Sequence, residues 1–312
     1  MIYSVARAYF ILDGANATVS AAQRGLVDAR ILQDSAQALY GRGLGTEVEV
    51  DLSRRGTAQA QFDLSRTSTA QKDAISSLLE AMDLPPTTKL RVASVSGRPL
   101  PPRTARTIDD ALQEALRRRP DLLADVAKLR ASDAGITAAR SDLFPKVSLG
   151  GNLSVPFWWN NVDNSPYYSV RQPQGAALLN LEIPVYDGGL LQNKVKLAES
   201  QRDAAAEDLR GKTDQALREV ALAYDQVETG LQQYSAALAL QTASETAFRS
   251  AHDSYKAGVG TLTDAISAQT GLASARANVA RAHAQSLING ASLAFAEGLL
   301  TSSADFAPRT SR

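Results

Sequence analysis

Few side chains in this sequence could carry catalysis or bind a metal. It contains no cysteine, so it offers no thiolate nucleophile, disulfide or cysteine-based metal site. Its two histidines, His252 and His283, lie far apart, and no His-x-x-His pair exists. We expect both to be partly solvated residues on helices. The sequence therefore predicts no catalytic residue, no metal site and no cofactor.

Two short glycine loops are the most distinctive motif. They read "YGRGLGT" at residues 40–46 and "YKAGVGT" at residues 255–261. Both follow helical patterns rather than strands and lack the lysine of a phosphate-binding loop, which excludes a nucleotide site. Glycine adopts the positive φ angle of a tight turn without strain. The loops therefore predict two helical hairpin tips, turned by Gly43, Gly45, Gly258 and Gly260.

The two loops belong to an internal repeat. They are separated by 215 positions, and the match continues around them without a gap. A repeat of that length indicates a duplicated half-protein rather than a solenoid. The second copy has further sequence upstream of the match, at about residues 108–216, for which the first copy has no equivalent. We therefore expect the first repeat to be truncated.

The segments on both sides of each loop have the periodicity of long helices. A stretch from Leu190 to about Ala257 lacks proline, and at about 1.5 Å per residue it would form a helix of roughly 100 Å. We expect the return helix at about Leu262–Gly298, and the first copy of the hairpin at residues 2–42 and 46–82. A heptad stripe on the longest helix indicates coiled-coil packing; it comprises Leu217, Val220, Tyr224, Val227, Leu231, Tyr234 and Leu238.

A different pattern follows Pro145. Residues 146–155 and 176–185 alternate apolar and polar side chains, as strands with one apolar face do. Each segment has about the length of a tilted membrane-spanning strand. The polar loop between them carries aromatic side chains that would form a membrane belt: Trp158, Trp159, Tyr167 and Tyr168. An ordinary amphipathic hairpin on a soluble domain remains the alternative.

Together these elements resemble the TolC-like outer-membrane efflux proteins. "RRRPDLLADVAKLRASDAGITAARSDLFPKVSLGG" (117–151) is similar to the family's segment that leads into a strand. "LEIPVYDGGLLQNKVKLAES" (181–200) is similar to its strand-to-helix joint, and "YKAGVGTLTDAISAQ" (255–269) to its periplasmic helix turn.

The resemblance implies a mainly α fold. Long antiparallel coiled-coil hairpins would build an α-barrel tunnel, and a short transmembrane β-hairpin would contribute to a trimeric β-barrel. The expected organisation is a truncated first repeat (1–83), a connector (84–106), a complete second repeat (107–300) with its β-hairpin (146–185) and long helical hairpin (189–300), and a tail (301–312).

The resemblance also implies a function. The chain would form a homotrimer in the outer membrane, in contact with lipid and with a helical extension in the periplasm. It would be a passive export duct for small molecules, joined through a periplasmic adaptor to an inner-membrane pump. It would not be an enzyme. A formal net charge of zero argues against a nucleic-acid partner, and residues 1–12 do not resemble a signal peptide.

The glycine tips are where the resemblance places adaptor docking. The residues concerned are Gly43, Gly45, Thr46, Gly258, Gly260 and Thr261. Both threonines also suit helix N-caps. Acids close behind the tips complement a helix dipole, and some would pair with basic neighbours to close the tunnel. This possible aperture gate comprises Arg42, Glu49, Lys256 and Asp264.

Other interpretations stay open from the sequence. The family contributes four strands per subunit, whereas this sequence offers two. Three copies would supply about six strands, fewer than the roughly eight of the smallest barrels. The chain could thus be a non-functional fragment of an efflux channel, a periplasmic coiled-coil adaptor or scaffold, or a cytosolic coiled-coil protein. The paired strands in 146–185 favour the channel.

Overall fold

The computed structural model describes residues 2–95, 100–101, 104, 107–160 and 168–300. Long helices dominate this part of the chain, with short paired strands in the middle, which confirms the expected mainly α class. The elements are α1 (Ile2–Gly41), α2 (Glu47–Ala81), α3 (Ile108–Arg118), α4 (Pro120–Ser141), β1 (Lys146–Ser154), β2 (Phe157–Asn160), β3 (Tyr168–Arg171), β4 (Gln174–Glu182), α5 (Leu190–Lys256) and α6 (Leu262–Ala296).

The chain forms two compact units. The first comprises Met1–Pro120 and Asp214–Arg312, and the second comprises Asp121–Thr213. Helix α5 contributes residues to both units, so these units do not coincide with the repeats. The division into repeats at residues 83 and 107 stays a prediction.

The first unit contains both helical hairpins, and their glycine tips lie at the same end. Residues from α1, α5 and α6 form one buried cluster there, with α2 packed against it through Leu52. The cluster consists of Leu32, Ala36, Tyr255, Leu262 and Ala265. No helix within the described ranges is long and apolar enough to cross a membrane.

Helix α6 also packs closely along α1. The Gln269 side chain donates a hydrogen bond to the Gly25 carbonyl oxygen at 2.9 Å. A Cβ atom at Gly25 would lie only 3.2 Å from the Ala273 Cβ, so glycine permits this approach. Arg276 and Asp28 form a largely buried ion pair at 2.6 Å. These contacts join the second repeat to the first.

The start of the connector lies against the first hairpin. The Tyr9 hydroxyl donates to the Ala93 carbonyl oxygen at 2.7 Å. The carboxylate of Asp13, which is 1% exposed, accepts hydrogen bonds from the Ser94 hydroxyl at 2.7 Å and the Val95 amide at 3.0 Å. We call residues 93–95 the connector strap. The buried Asp13 carboxylate holds the connector strap in place because one of its oxygens accepts both bonds.

In the second unit, ion pairs join α4 to the start of α5. As residue numbers rise along α4 they fall along α5, so the two segments are antiparallel. The pairs are Asp125–Lys212 at 2.7 Å, Asp133–Arg202 at 3.2 Å and Arg140–Glu199 at 2.8 Å.

Strands β1 and β4 form an antiparallel pair whose register places the apolar residues on one face. Leu149 lies opposite Leu179, and Ser148 lies opposite Asn180 on the other face. Both strands are exposed along their whole length. They end at Ser154 and Glu182, before the predicted ends at 155 and 185, because proline two residues further on in each case cannot donate to a strand ladder.

The loop between these strands contains a second antiparallel pair that the sequence analysis did not predict. Strands β2 and β3 pair with Phe157 opposite Arg171. The alternation of β1 and β4 is clear in the sequence, whereas four-residue strands are too short to show a period.

Candidate functional site at the helical tips

Both tips end their first helix in the same way. Gly43 has a φ angle of +73° and Gly258 a φ angle of +76°. The amide of the residue after each glycine bonds a carbonyl oxygen five residues back, at 2.9 Å for Leu44 and 3.0 Å for Val259. This is the Schellman arrangement, in which a left-handed residue closes the helix.

The second glycine of each loop has another role. Gly45 and Gly260 do not have positive φ angles, so the expectation of such angles at both glycines is wrong for these two. A Cβ atom at Gly260 would lie 2.9 Å from the Ser254 Cβ, and one at Gly45 would lie 3.1 Å from the Tyr40 amide nitrogen. Each second glycine therefore lets the turn fold closely onto the end of its helix.

The two threonines cap the return helices. The Thr46 hydroxyl oxygen accepts from the Glu49 amide at 3.3 Å, and a Glu49 carboxylate oxygen accepts from the Thr46 amide at 2.8 Å. The Thr261 hydroxyl oxygen accepts from the Asp264 amide at 3.1 Å. These bonds satisfy amides at the start of α2 and α6 that have no partner within the helix.

The acids of the possible gate serve these caps. Glu49 and Asp264 both bond the threonine three residues earlier. Within the part of the chain that the structure describes, neither Arg42 nor Lys256 forms an ion pair with an acid. A gate between these residues is therefore not formed inside one chain, and a pairing between subunits stays a prediction.

The tips expose apolar side chains that the sequence analysis did not select. Leu44 is 74% exposed and Val259 is 83% exposed, and each lies between the two glycines of its loop. Val48, in the first turn of α2, is also exposed. The sequence does carry a signal for Leu44 and Val259, because each is an apolar residue between two turn glycines. Clustered exposed apolar residues mark sites of protein contact.

The two tip tyrosines differ in their surroundings. Tyr40 is half-exposed, whereas Tyr255 is buried in the cluster between the hairpins. Burial, aided by the charge of Glu49, raises the pKa of Tyr255. Its hydroxyl has no hydrogen-bond partner among the residues that the structure describes.

The histidines differ from each other as well. His252 is half-buried, as expected, and its Nε2 lies 3.2 Å from the Ser35 hydroxyl. His283 is 3% exposed and packs edge-on against Tyr234, so the expectation of a partly solvated residue is wrong there. The Tyr234 ring on α5 packs against the imidazole and helps to cover it. No cluster of three or more His, Asp or Glu residues within the described segments could hold a metal ion.

The predicted aromatic belt is only partly described. Trp158 and Trp159 lie on β2, and Tyr168 lies on β3 opposite Asn160. Tyr167 lies outside the described residues. For the other three aromatic residues the structure describes the strands but not the side chains. The belt therefore stays a prediction.

Duplicated helical hairpins with glycine tips and an exposed strand pair are the features on which the resemblance to outer-membrane efflux proteins rests. The family model described as "Outer membrane efflux protein" matches residues 111–299, and the chain belongs to this family. This confirms the predicted resemblance, fold class and localisation in the outer membrane. The family comprises channel proteins rather than enzymes.

Relatives of known name support the same assignment. The chain is 26% identical to the outer membrane protein OprJ of Pseudomonas aeruginosa over 263 residues, which cover 83% of this chain and 53% of OprJ. It is 27% identical to the pyoverdine export outer membrane protein OpmQ of Pseudomonas putida, with coverages of 83% and 53%. The chain thus spans about half the length of the curated relatives it matches.

Solved structures share the fold. The outer-membrane channel OprN superposes with a TM-score of 0.74 at 21% identity, covering 95% of this chain and 65% of OprN. The open state of the MtrE channel of Neisseria gonorrhoeae gives a TM-score of 0.72 at 22% identity, covering 95% and 65%.

Proposed function

We propose that the chain acts as a subunit of a trimeric outer-membrane channel. The channel is a passive export duct for small molecules, and a periplasmic adaptor connects it to an inner-membrane pump. The observation that carries this proposal is the arrangement of the two glycine tips, which lie side by side and expose apolar residues. Family membership favours a channel over an adaptor or a cytosolic coiled coil.

The repeat supports assembly with further copies of the chain. Where α1 and α6 meet, residues of both helices are buried, including Gly25 and Leu32 on α1 and Gln269 and Leu272 on α6. The repeat offset of 215 maps α1 onto α5 and α6 onto α2. Contacts equivalent to those between α6 and α1 would therefore join α2 to α5.

The corresponding faces of α2 and α5 are not fully buried within the single chain. No residue of α2 between 54 and 73 is buried, and none of α5 between 238 and 254. Long helices with uncovered faces need neighbouring helices. A second copy offers the complementary face, and a head-to-tail contact of this kind closes into a ring when its rotation fits. We infer that α2 of one subunit packs against α5 of the next.

The strand pair supports a place in the membrane. Val147, Leu149, Leu179 and Leu181 share one face of the sheet and are all more than half exposed. The opposite face carries polar residues such as Asn180. Lipid would cover the apolar face, and strands from other copies would pair with the open edges, because unpaired edges are costly in lipid.

The tips would receive the adaptor. The docking residues that we propose are the tip glycines, Thr46 and Thr261, with the apolar side chains of Leu44 and Val259 as the contact itself. Arg42, Lys256, Glu49 and Asp264 would close the aperture by pairing between subunits. The glycines and threonines position this surface, since they set the turn and start the return helices.

Export by cells of the native host tests the proposal. Leu44→Glu combined with Val259→Glu should sharply reduce export of a fluorescent efflux substrate, because two charges replace the apolar contact, while the amount of outer-membrane trimer stays normal. Ser76→Glu is the matched control, since Ser76 is exposed on α2 roughly 45 Å from its start, and it should leave export unchanged. Normal export by the tip variant would refute docking, and absence of export by the unmodified chain would refute the channel function.

A further inference from the structure

A histidine lies in the contact between the two hairpins, near the tips. His252 on α5 places its Nε2 3.2 Å from the hydroxyl oxygen of Ser35 on α1. That hydroxyl donates its own proton to the Ile31 carbonyl oxygen at 2.8 Å. Ser35 therefore accepts from His252, which assigns the proton of the neutral ring to Nε2. The ring also stacks on Phe248, with centroids 5.9 Å apart.

The surroundings of the ring favour its neutral form. Burial and then the charge of Lys256, one turn further along α5, lower the pKa of His252. Asp253 on α5 and Asp28 on α1 act in the opposite direction. Asp28 is, however, engaged with Arg276 of α6 at 2.6 Å.

We propose that His252 makes the contact between the two helical hairpins sensitive to pH. The neutral ring holds α5 against α1 through Ser35. The protonated ring adds a positive charge at a half-buried position close to Lys256, and it gains a second N–H group at Nδ1 that requires an acceptor. Acid therefore loosens the contact near the tips. This inference goes beyond the export function and does not depend on it.

The pH range follows from the direction of the pKa shift. The pKa of His252 is lower in the packed state than its ordinary value of about 6.5. The contact between His252 and Ser35 therefore makes its full contribution to the stability of the packed state above about pH 6.5. This contribution falls as the pH decreases from about 6.5 towards the lower pKa of the packed state. Periplasmic acidification would act within this range.

The absence of cysteine makes the contact measurable in the intact chain. Spin labels on cysteines introduced at Gln37 and Ser250, exposed on α1 and α5, report the separation of the helices. We expect the distance distribution to widen and lengthen between pH 8 and pH 5. His252→Gln keeps an amide donor for Ser35 but cannot titrate in this range, so it should hold the short distance at both values. A distance that does not change in the unmodified chain, or an equal change in His252→Gln, overturns the proposal.

The two histidines of the unmodified chain provide a second readout. Nuclear magnetic resonance can follow both rings during a pH titration, and the spectrum of His252→Gln, which lacks the His252 resonance, identifies each one. The proposal requires His252 to titrate below about 6.5, together with shifts in amides of Ser35 and its neighbours on α1. Titration of His252 at or above that value, or α1 amides that do not respond, contradicts it.

Discussion

Tyr40 and Tyr255 occupy the same position in the two repeats, yet Tyr40 is 44% exposed and Tyr255 only 3% exposed. Tyr255 packs in the cluster with Leu32 and Ala36 of α1. Tyr40 is not a member of this cluster or of the partly buried residues packed against it. The two copies of the repeat thus place the same tyrosine in different surroundings, one buried between the hairpins and one exposed.

Two substitutions at Tyr255 distinguish the contribution of its ring packing to stability from the contribution of its hydroxyl. Tyr255→Ala should lower the free energy of unfolding by about 3–5 kcal/mol, the range for truncating a buried aromatic side chain. Tyr255→Phe should be neutral or stabilising, since the hydroxyl is buried without a partner in the described part of the chain. Urea unfolding measures both. Tyr40→Ala is the matched control and should cost much less; equal losses for Tyr255→Phe and Tyr255→Ala would show that the hydroxyl is bonded.

The first glycine of each tip should resist replacement because of its backbone angle. Gly43→Ala and Gly258→Ala should each destabilise the chain by about 1–2 kcal/mol, the cost of a left-handed residue with a Cβ atom. Gly43→Asn should cost less, since asparagine tolerates this conformation. Gly41→Ala is the control, because Gly41 belongs to α1 and does not have a positive φ angle. Thermal unfolding checks all four, and equal effects at Gly41 and Gly43 would contradict the turn geometry.

The ion pairs of Asp125 should make the second unit sensitive to acid. Hydrogen bonds from Lys128 and then Lys212 hold the pKa of the Asp125 carboxyl below its ordinary value. Their contribution is therefore present above about pH 3.9 and is lost as the pH falls through the lower pKa of the folded state. The stability difference between the unmodified chain and Asp125→Asn should shrink as the pH decreases. Asp203→Asn, at an exposed pair with Arg202, should show little effect at any pH.

The two faces of the strand pair should differ in their tolerance of charge. Leu149→Lys places a charge on the face that we assign to lipid, at a cost of about 2–4 kcal/mol near the membrane centre. Ser148→Lys places it on the polar face, opposite Asn180. The first variant should fail to reach the outer membrane and the second should succeed, as membrane fractionation can show. Equal membrane levels would indicate that this face does not contact lipid.

Much of the fold follows from local sequence patterns. The helices begin and end within a few residues of the predicted positions, because the glycine loops and the threonine caps act over one turn. The strands β1 and β4 were predicted from alternation, and their register then places Leu149 and Leu179 on one face. Such features depend on neighbouring residues, and the sequence displays them directly.

Features that depend on contacts between distant segments could not be predicted. The heptad stripe does not show that His283 is buried, nor that Tyr255 is buried and Tyr40 is not. The burial of Asp13 depends on the connector strap (residues 93–95), which is about 80 residues away along the chain. The roles of Gly45 and Gly260 depend on how closely each turn approaches its own helix. In each case the three-dimensional arrangement decides the environment.

Cross-linking between subunits tests the central claim most directly. The intrachain pair Gly25 and Ala273 corresponds, at the repeat offset, to Leu240 and Ala58. Cells of the native host would produce one copy with Ala58→Cys and another with Leu240→Cys, and the outer membrane would then be oxidised. The control is Lys72→Cys with Leu240→Cys, since Lys72 lies roughly 20 Å further along α2. We predict a disulfide-linked dimer with the first pair and none with the control. Only monomers with both pairs would contradict assembly through α2 and α5.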